Sequence, residues 1–175
     1  MKQRQTYFED LEVGMELPLK NWGPLDTVDI VRFGSAVDNY SKLHQDYYWC
    51  VENGFPVGTL INGPMRQALL ASWLDEIAGE GGFLKKMSIQ HRGLDYADGR
   101  TLTATGKVTA KREEDGLGYV ECEIRIENSQ GQITCPGTAT LILPKRGGRA
   151  VPTEYEAPRQ YAEFIGRIMG ARSQT

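Results

Sequence analysis

The sequence predicts an α+β domain in which a curled antiparallel sheet wraps one long central helix. Two observations carry this reading. Between Met65 and Ala78 the apolar residues Met65, Ala68, Leu69, Leu70, Ala71, Trp73, Leu74 and Ile77 occupy most faces of a helix roughly 21 Å long, which predicts burial rather than a surface position. From Phe83 onward the pattern changes to period two over Leu84–Arg92, Thr101–Lys111, Leu117–Glu127 and Gln132–Leu143. These stretches read as four strands. Asp98-Gly99, Glu114-Asp115-Gly116 and Asn128-Ser129-Gln130-Gly131 are the turns between them, so the sheet is expected to be an antiparallel meander.

The remaining elements follow in chain order. Tyr7, Phe8, Leu11, Val13 and Leu17 are apolar anchors of a lead-in segment that turns at Gly14. Asn21-Trp22-Gly23-Pro24 is a loop by composition. Asp26-Thr27 can cap a helix over Val28–Val37, where apolar residues recur at near-helical spacing. That helix is expected to end near Asp38-Asn39-Tyr40-Ser41, leaving His44 on irregular chain. A short helix can start at Asp46 and run through Val51 until Gly54. Asn62 is a good N-cap for the central helix, Pro64 suits its first turn, and Gly79, Gly81 and Gly82 stop it. Pro144 ends the last strand, and Lys145 to Arg149 is a basic connector rather than a binding patch. Pro158 to Ala171 reads as an amphipathic helix with Tyr161, Phe164, Ile165, Ile168 and Met169 on one face. Residues 1–143 are therefore taken as the domain and 144–175 as an extension of linker plus helix.

Composition narrows the function. The chain has 175 residues, 40% of them hydrophobic, and a net charge of −3. It is long enough for one core and not basic enough for nucleic acid to be the main partner. No apolar run reaches membrane-spanning length, and the N-terminus lacks the apolar stretch of a secretory signal. Cys50, Cys122 and Cys135 are odd in number and not in metal spacing, so they read as buried reduced thiols of a cytoplasmic protein.

Chemistry concentrates in VRFGSAVDNYSKLHQD (residues 31–46) and INGPM (residues 61–65). The first holds His44, one of two histidines in the chain; the second opens the central helix. A histidine able to take a proton, with free N–H groups at a helix start, suits addition of water to a carbonyl-activated double bond. Gly63 has no side chain to keep an oxygen from its N–H. Capping is the expected role of Asn62, ahead of lining a pocket. Ser41 either bonds the site or closes a turn, and Asp38 either joins the site or caps its helix region. His91, in a strand, reads as structural, and Tyr47, Tyr48 and Trp49 as packing aromatics.

Together YFEDLEVGMELP, VRFGSAVDNYSKLHQD, INGPMRQALL and PGTATLILP, in this order over roughly residues 7–143, resemble the MaoC-like (R)-specific enoyl-CoA hydratases and dehydratases, which have the hot-dog fold. The resemblance implies a sheet wrapped around the helix, pairing of two such units, and an acyl-pantetheine tunnel near their interface. It implies reversible addition of water across C2=C3 of an enoyl thioester, the substrate arriving on CoA or an acyl carrier and no further cofactor being needed. It implies His44 as the catalytic histidine, Asp46 as an acid common two residues beyond it, and Gly63 as the helix-start glycine that polarises the thioester carbonyl. The family's catalytic aspartate, five residues before the histidine, falls on Asn39 here, and its asparagine on Ser41. Either a bulge admits Asp38 in place of that aspartate, or Asn39 holds the position without titrating. The expected partners are an acyl-CoA and a second copy of the chain, or a related subunit. A non-catalytic acyl-CoA-binding subunit and a thioesterase are the alternatives. Against the thioesterase, the central helix carries acids only near its end, at Asp75 and Glu76.

Overall fold

The computed structural model describes residues 5–149 and 151. The expected helix at 158–171 lies outside the described residues. Among them the element order is β1 (Lys20–Leu25), α1 (Thr27–Ala36), α2 (Lys42–Gln45), α3 (Tyr47–Glu52), α4 (Gly63–Ala78), β2 (Phe83–Ile89), β3 (Arg100–Glu114), β4 (Leu117–Asn128) and β5 (Ile133–Leu143). The strands form one antiparallel sheet in the order β1-β3-β4-β5-β2.

The hairpin from β3 to β4 is dictated locally. Glu114 pairs with Leu117 around Asp115 (φ 51°) and Gly116 (φ 75°). Two successive positive φ angles make the tight turn whose twist matches the strands, and Asp-Gly tolerates them best. Along β4 the even-numbered residues Val120, Cys122, Ile124 and Ile126 are buried while Glu121, Glu123 and Arg125 are exposed. That face meets α4, whose Leu70, Trp73, Leu74 and Ile77 join the same core. The Trp73 indole N–H donates to the Pro18 carbonyl at 2.8 Å, so this large side chain is both buried and satisfied.

Four sequence expectations change here. The residues read as a loop at Asn21–Pro24 belong to edge strand β1, which pairs with β3 from Lys20 to Leu25 with a register shift after Trp22. A proline is tolerated there because an edge strand has one unpaired side. The sheet is not a simple meander: β2 pairs with β5, not β3. Residues 90–99 are a crossing segment rather than a tight turn. Third, α4 buries one face, leaving Gln67, Ala68, Ser72, Asp75 and Glu76 exposed. Last, Val13 is exposed, whereas Phe8, Leu11 and Leu17 anchor the lead-in as expected.

Lys145 pairs with Glu113 at 2.5 Å, and Arg146 pairs with Asp10 and lies over the Tyr7 ring, so the start of the basic run is tied to the domain. Among the described residues, no helix is long and apolar enough to cross a membrane.

All three cysteines are free and buried. Burial pushes the Cys122 thiol up to about 11, Glu121 adding to the rise. An unfolded thiol near 9 ionises first, so the contribution of Cys122 to stability is constant below pH 9 and falls between pH 9 and 11. The loss attributable to Cys122 is about 2–3 kcal/mol. Urea unfolding at pH 8 and pH 10.5 checks it: the Cys122→Ala variant loses less stability than the parent over that interval.

Candidate active site

Three segments meet at the start of α4: residues 39–46, 59–63 and 91–97. Backbone bonds join them. Leu60 N–H donates to the Leu43 carbonyl at 3.1 Å, Ile61 N–H to the Asp95 carbonyl at 2.7 Å, and Ala97 N–H to the Thr59 carbonyl at 2.9 Å. The crossing segment after β2 therefore pairs with the strand-like approach to α4, which explains why no short turn follows β2.

His44 is not on irregular chain. It lies in the single-turn helix α2, where its N–H donates to the Ser41 carbonyl at 3.0 Å. Its Nδ1 is 2.8 Å from the Leu60 carbonyl oxygen, three residues before Gly63 in the chain. A carbonyl only accepts, so the proton sits on Nδ1 and the neutral ring keeps a lone pair on Nε2. That tautomer can accept a proton from water.

The flanking residues are spent largely on local structure. The Asn39 side-chain oxygen accepts from Ser41 N–H at 3.3 Å, and its carbonyl accepts from the Gln45 amide at 2.7 Å. Asp38, at φ 56°, is exposed, and so is Ser41. Asp46 caps α3 by accepting from Trp49 N–H at 2.9 Å.

At the helix start Asn62 has the backbone of an N-cap, yet its side chain makes no capping bond. The expectation of a side-chain cap is corrected: Pro64, at the second helical position, has no N–H to donate, and the Asn62 side chain does not accept from Met65 N–H at the third. Asn62 is fully buried, and neither atom of its amide has a partner among the described residues. Gly63 N–H has no acceptor within hydrogen-bonding reach among them either. It is a free donor on the positive end of a 16-residue helix.

Two features escaped the sequence reading. The first is Arg66, one turn beyond Asn62 and buried. Its guanidinium donates to the buried Asp95 carboxylate at 2.8 Å and to the Gly93 carbonyl at 3.0 Å. A lone arginine inside an apolar helical run was the available signal, because such a charge needs a partner. The second is His91, which lies beyond the end of β2. A Cβ placed on Gly63 would meet the His91 ring at 3.2–3.4 Å, Nε2 nearest. Nothing in local sequence links residues 63 and 91; the crossing segment does.

A depression of about 450 Å³ lies elsewhere, across β2, β3, β4 and β5, with Ser88, Lys107, Glu123 and Thr138 among its lining residues. Neither histidine lines it, and strand side chains of mixed charge offer no activated donor for a carbonyl.

No protein-family model matches the chain, and no curated protein matches it in sequence. Solved structures do. An R-hydratase, PhaJ1 from Pseudomonas aeruginosa, superposes with a TM-score of 0.70 at 18% identity, over 87% of this chain and 94% of that one. A MaoC-like dehydratase from Rhodospirillum rubrum gives 0.69 at 19% identity, over 81% and 98%. The ChsH1-ChsH2 complex from Mycobacterium tuberculosis gives 0.65 at 24% identity, over 75% and 98%. With its curled five-stranded antiparallel sheet around α4, the chain has the hot-dog fold of the R-hydratases and MaoC-like dehydratases.

Proposed function

We propose that this protein is an enoyl-thioester hydratase, or its reverse, a 3-hydroxyacyl-thioester dehydratase. The observation that carries the reading is the His44 Nδ1 contact with the Leu60 carbonyl at 2.8 Å, which ties the ring to the approach to α4 and leaves Nε2 as the base. Water is too weak a nucleophile at neutral pH to add unaided. His44 Nε2 takes one of its protons as the oxygen bonds to C3. The C2=C3 electrons move onto the thioester oxygen, where the Gly63 N–H and the helix dipole stabilise them. The proton on Nε2 then passes to C2, so one water is added and the imidazole is regenerated. Asn39 orients the water without exchanging protons, and Asn62 lines the acyl side of the helix start. The substrate is carried as a CoA or acyl-carrier thioester in the cytoplasm. The fold shared with hydratases supports the reading. Following the loss of enoyl-thioester absorbance on adding purified protein tests it; no turnover with short, medium or branched enoyl-CoAs would defeat it.

A carboxylate at position 39 can accept the Ser41 N–H as the amide oxygen does, so the turn survives Asn39→Asp. That variant is expected to raise kcat about tenfold or more, because it adds a titrating group five residues before His44. Unchanged kcat would remove residue 39 from the site.

We also propose that the active form contains more than one chain. Val28, Val31, Val37, Tyr40, Tyr47, Tyr48 and Val51, on α1, α3 and their connection, are all exposed in the single chain. Apolar surface of this kind marks an interface. Sedimentation equilibrium is expected to give twice the chain mass or more, and Tyr48→Glu is expected to shift it toward the monomer. A wild-type protein that sediments as a monomer at micromolar concentration would exclude a stable homo-oligomer.

A further inference from the structure

His91 is one of the two histidines of the chain, and both flank the start of α4. Their surroundings are opposite in chemistry. Nδ1 of His44 faces an obligate acceptor, whereas Nδ1 of His91 lies 3.7 Å from the Sγ of Cys135. Cys135 is fully buried, and burial raises its thiol pKa, so at neutral pH it carries its hydrogen. An imidazole lone pair is a better acceptor than sulfur, so the thiol donates to Nδ1 and the ring hydrogen resides on Nε2. Nε2 is the ring atom closest to a Cβ built on Gly63. The ring itself stays neutral: desolvation lowers its pKa, and the Arg66 charge adds to that. A neutral imidazole held this way is a donor that keeps its proton, suited to polarising a carbonyl.

Resting on the hydratase reading, we infer that His91 Nε2–H is a second donor to the thioester oxygen beside the Gly63 amide, with Cys135 as the positioning residue that selects its tautomer. His44 and His91 then divide the reaction between them, one taking the proton of water at C3 and the other holding charge on the carbonyl. His91 gives up no proton at any step. The Arg66–Asp95 pair and the Arg66 bond to the Gly93 carbonyl keep the crossing segment, and hence the ring, against the helix start. Asn62, fully buried with an unpartnered amide in the same turn, adds a second polar group at this end of α4.

Three measurements decide it. Nitrogen-15 NMR of the ligand-free protein at pH 7 is expected to show His91 as the neutral Nε2–H form, and Cys135→Ala to mix the tautomers. An Nδ1–H ring or an imidazolium in the wild type overturns the inference without touching the hydratase reading. The second uses 4-dimethylaminocinnamoyl-CoA, whose absorbance moves to longer wavelength when its carbonyl is polarised. Wild type and His44→Ala are expected to show the full shift, His91→Phe a reduced one, and His91→Gln a largely restored one. In turnover, His91→Phe is expected to lower kcat about 10²–10³-fold with KM nearly unchanged. A full shift in His91→Phe overturns the inference alone, whereas a wild type that does not bind the probe overturns the hydratase reading and the inference with it.

Discussion

Arg66→Met is expected to destabilise the protein by about 3–5 kcal/mol. The substitution preserves the volume of the side-chain stem and removes the charge. It leaves Asp95, 2% exposed, with no cation beside its carboxylate, and strips the Gly93 carbonyl of its donor. The pair is already imperfect, since Arg66 Nε and one Asp95 oxygen have no partner among the described residues. For that reason the double variant Arg66→Met/Asp95→Leu is expected to regain most of the loss: removing both charges removes both desolvation costs. Urea unfolding of the two single variants and the double variant checks this, with the midpoint moving and the slope unchanged. A single-variant loss below 1 kcal/mol would show that water already solvates Asp95. Activity is expected to fall with stability, because the pair joins the segment carrying His91 to α4.

His44→Ala is expected to lower hydratase kcat by about 10²–10⁴-fold while the far-ultraviolet circular dichroism is unchanged. The ring is only partly buried and makes one polar contact, the bond to the Leu60 carbonyl, so its removal costs little packing. What disappears is the Nε2 lone pair. His44→Gln separates the two roles of the ring: its amide can still donate to the Leu60 carbonyl but cannot take a proton, so it is expected to fold like the parent and remain inactive. Activity retained in both variants would move the base elsewhere.

Much of the fold was legible because its signals are local. Asp26 caps α1 by accepting from Val28 and Asp29 N–H groups, Asp115-Gly116 makes the hairpin, and β4 alternates buried and exposed as period two requires. β1 was not legible: it has few apolar residues, holds a glycine and a proline, and exists because β3 offers an unpaired edge. At the site, His44 and Gly63 stood out by type and spacing. Asn62 misled: Pro64 withholds one of the two N–H groups a cap accepts from, and the side chain does not take the other, from Met65.

Local residue order is enough for the central helix with its polar start, the period-two strands after it, and an imidazole upstream of a glycine amide. Each depends on residues within a few positions of one another. Long-range packing is needed for β2 to join β5, for residues 91–97 therefore to cross the start of α4, and for Arg66 to find Asp95 there. Strand order carries no mark in any one strand, since every edge offers the same N–H and C=O groups. It is settled by which arrangement closes the sheet around α4, and the place of His91 beside Gly63 is a consequence of that closure.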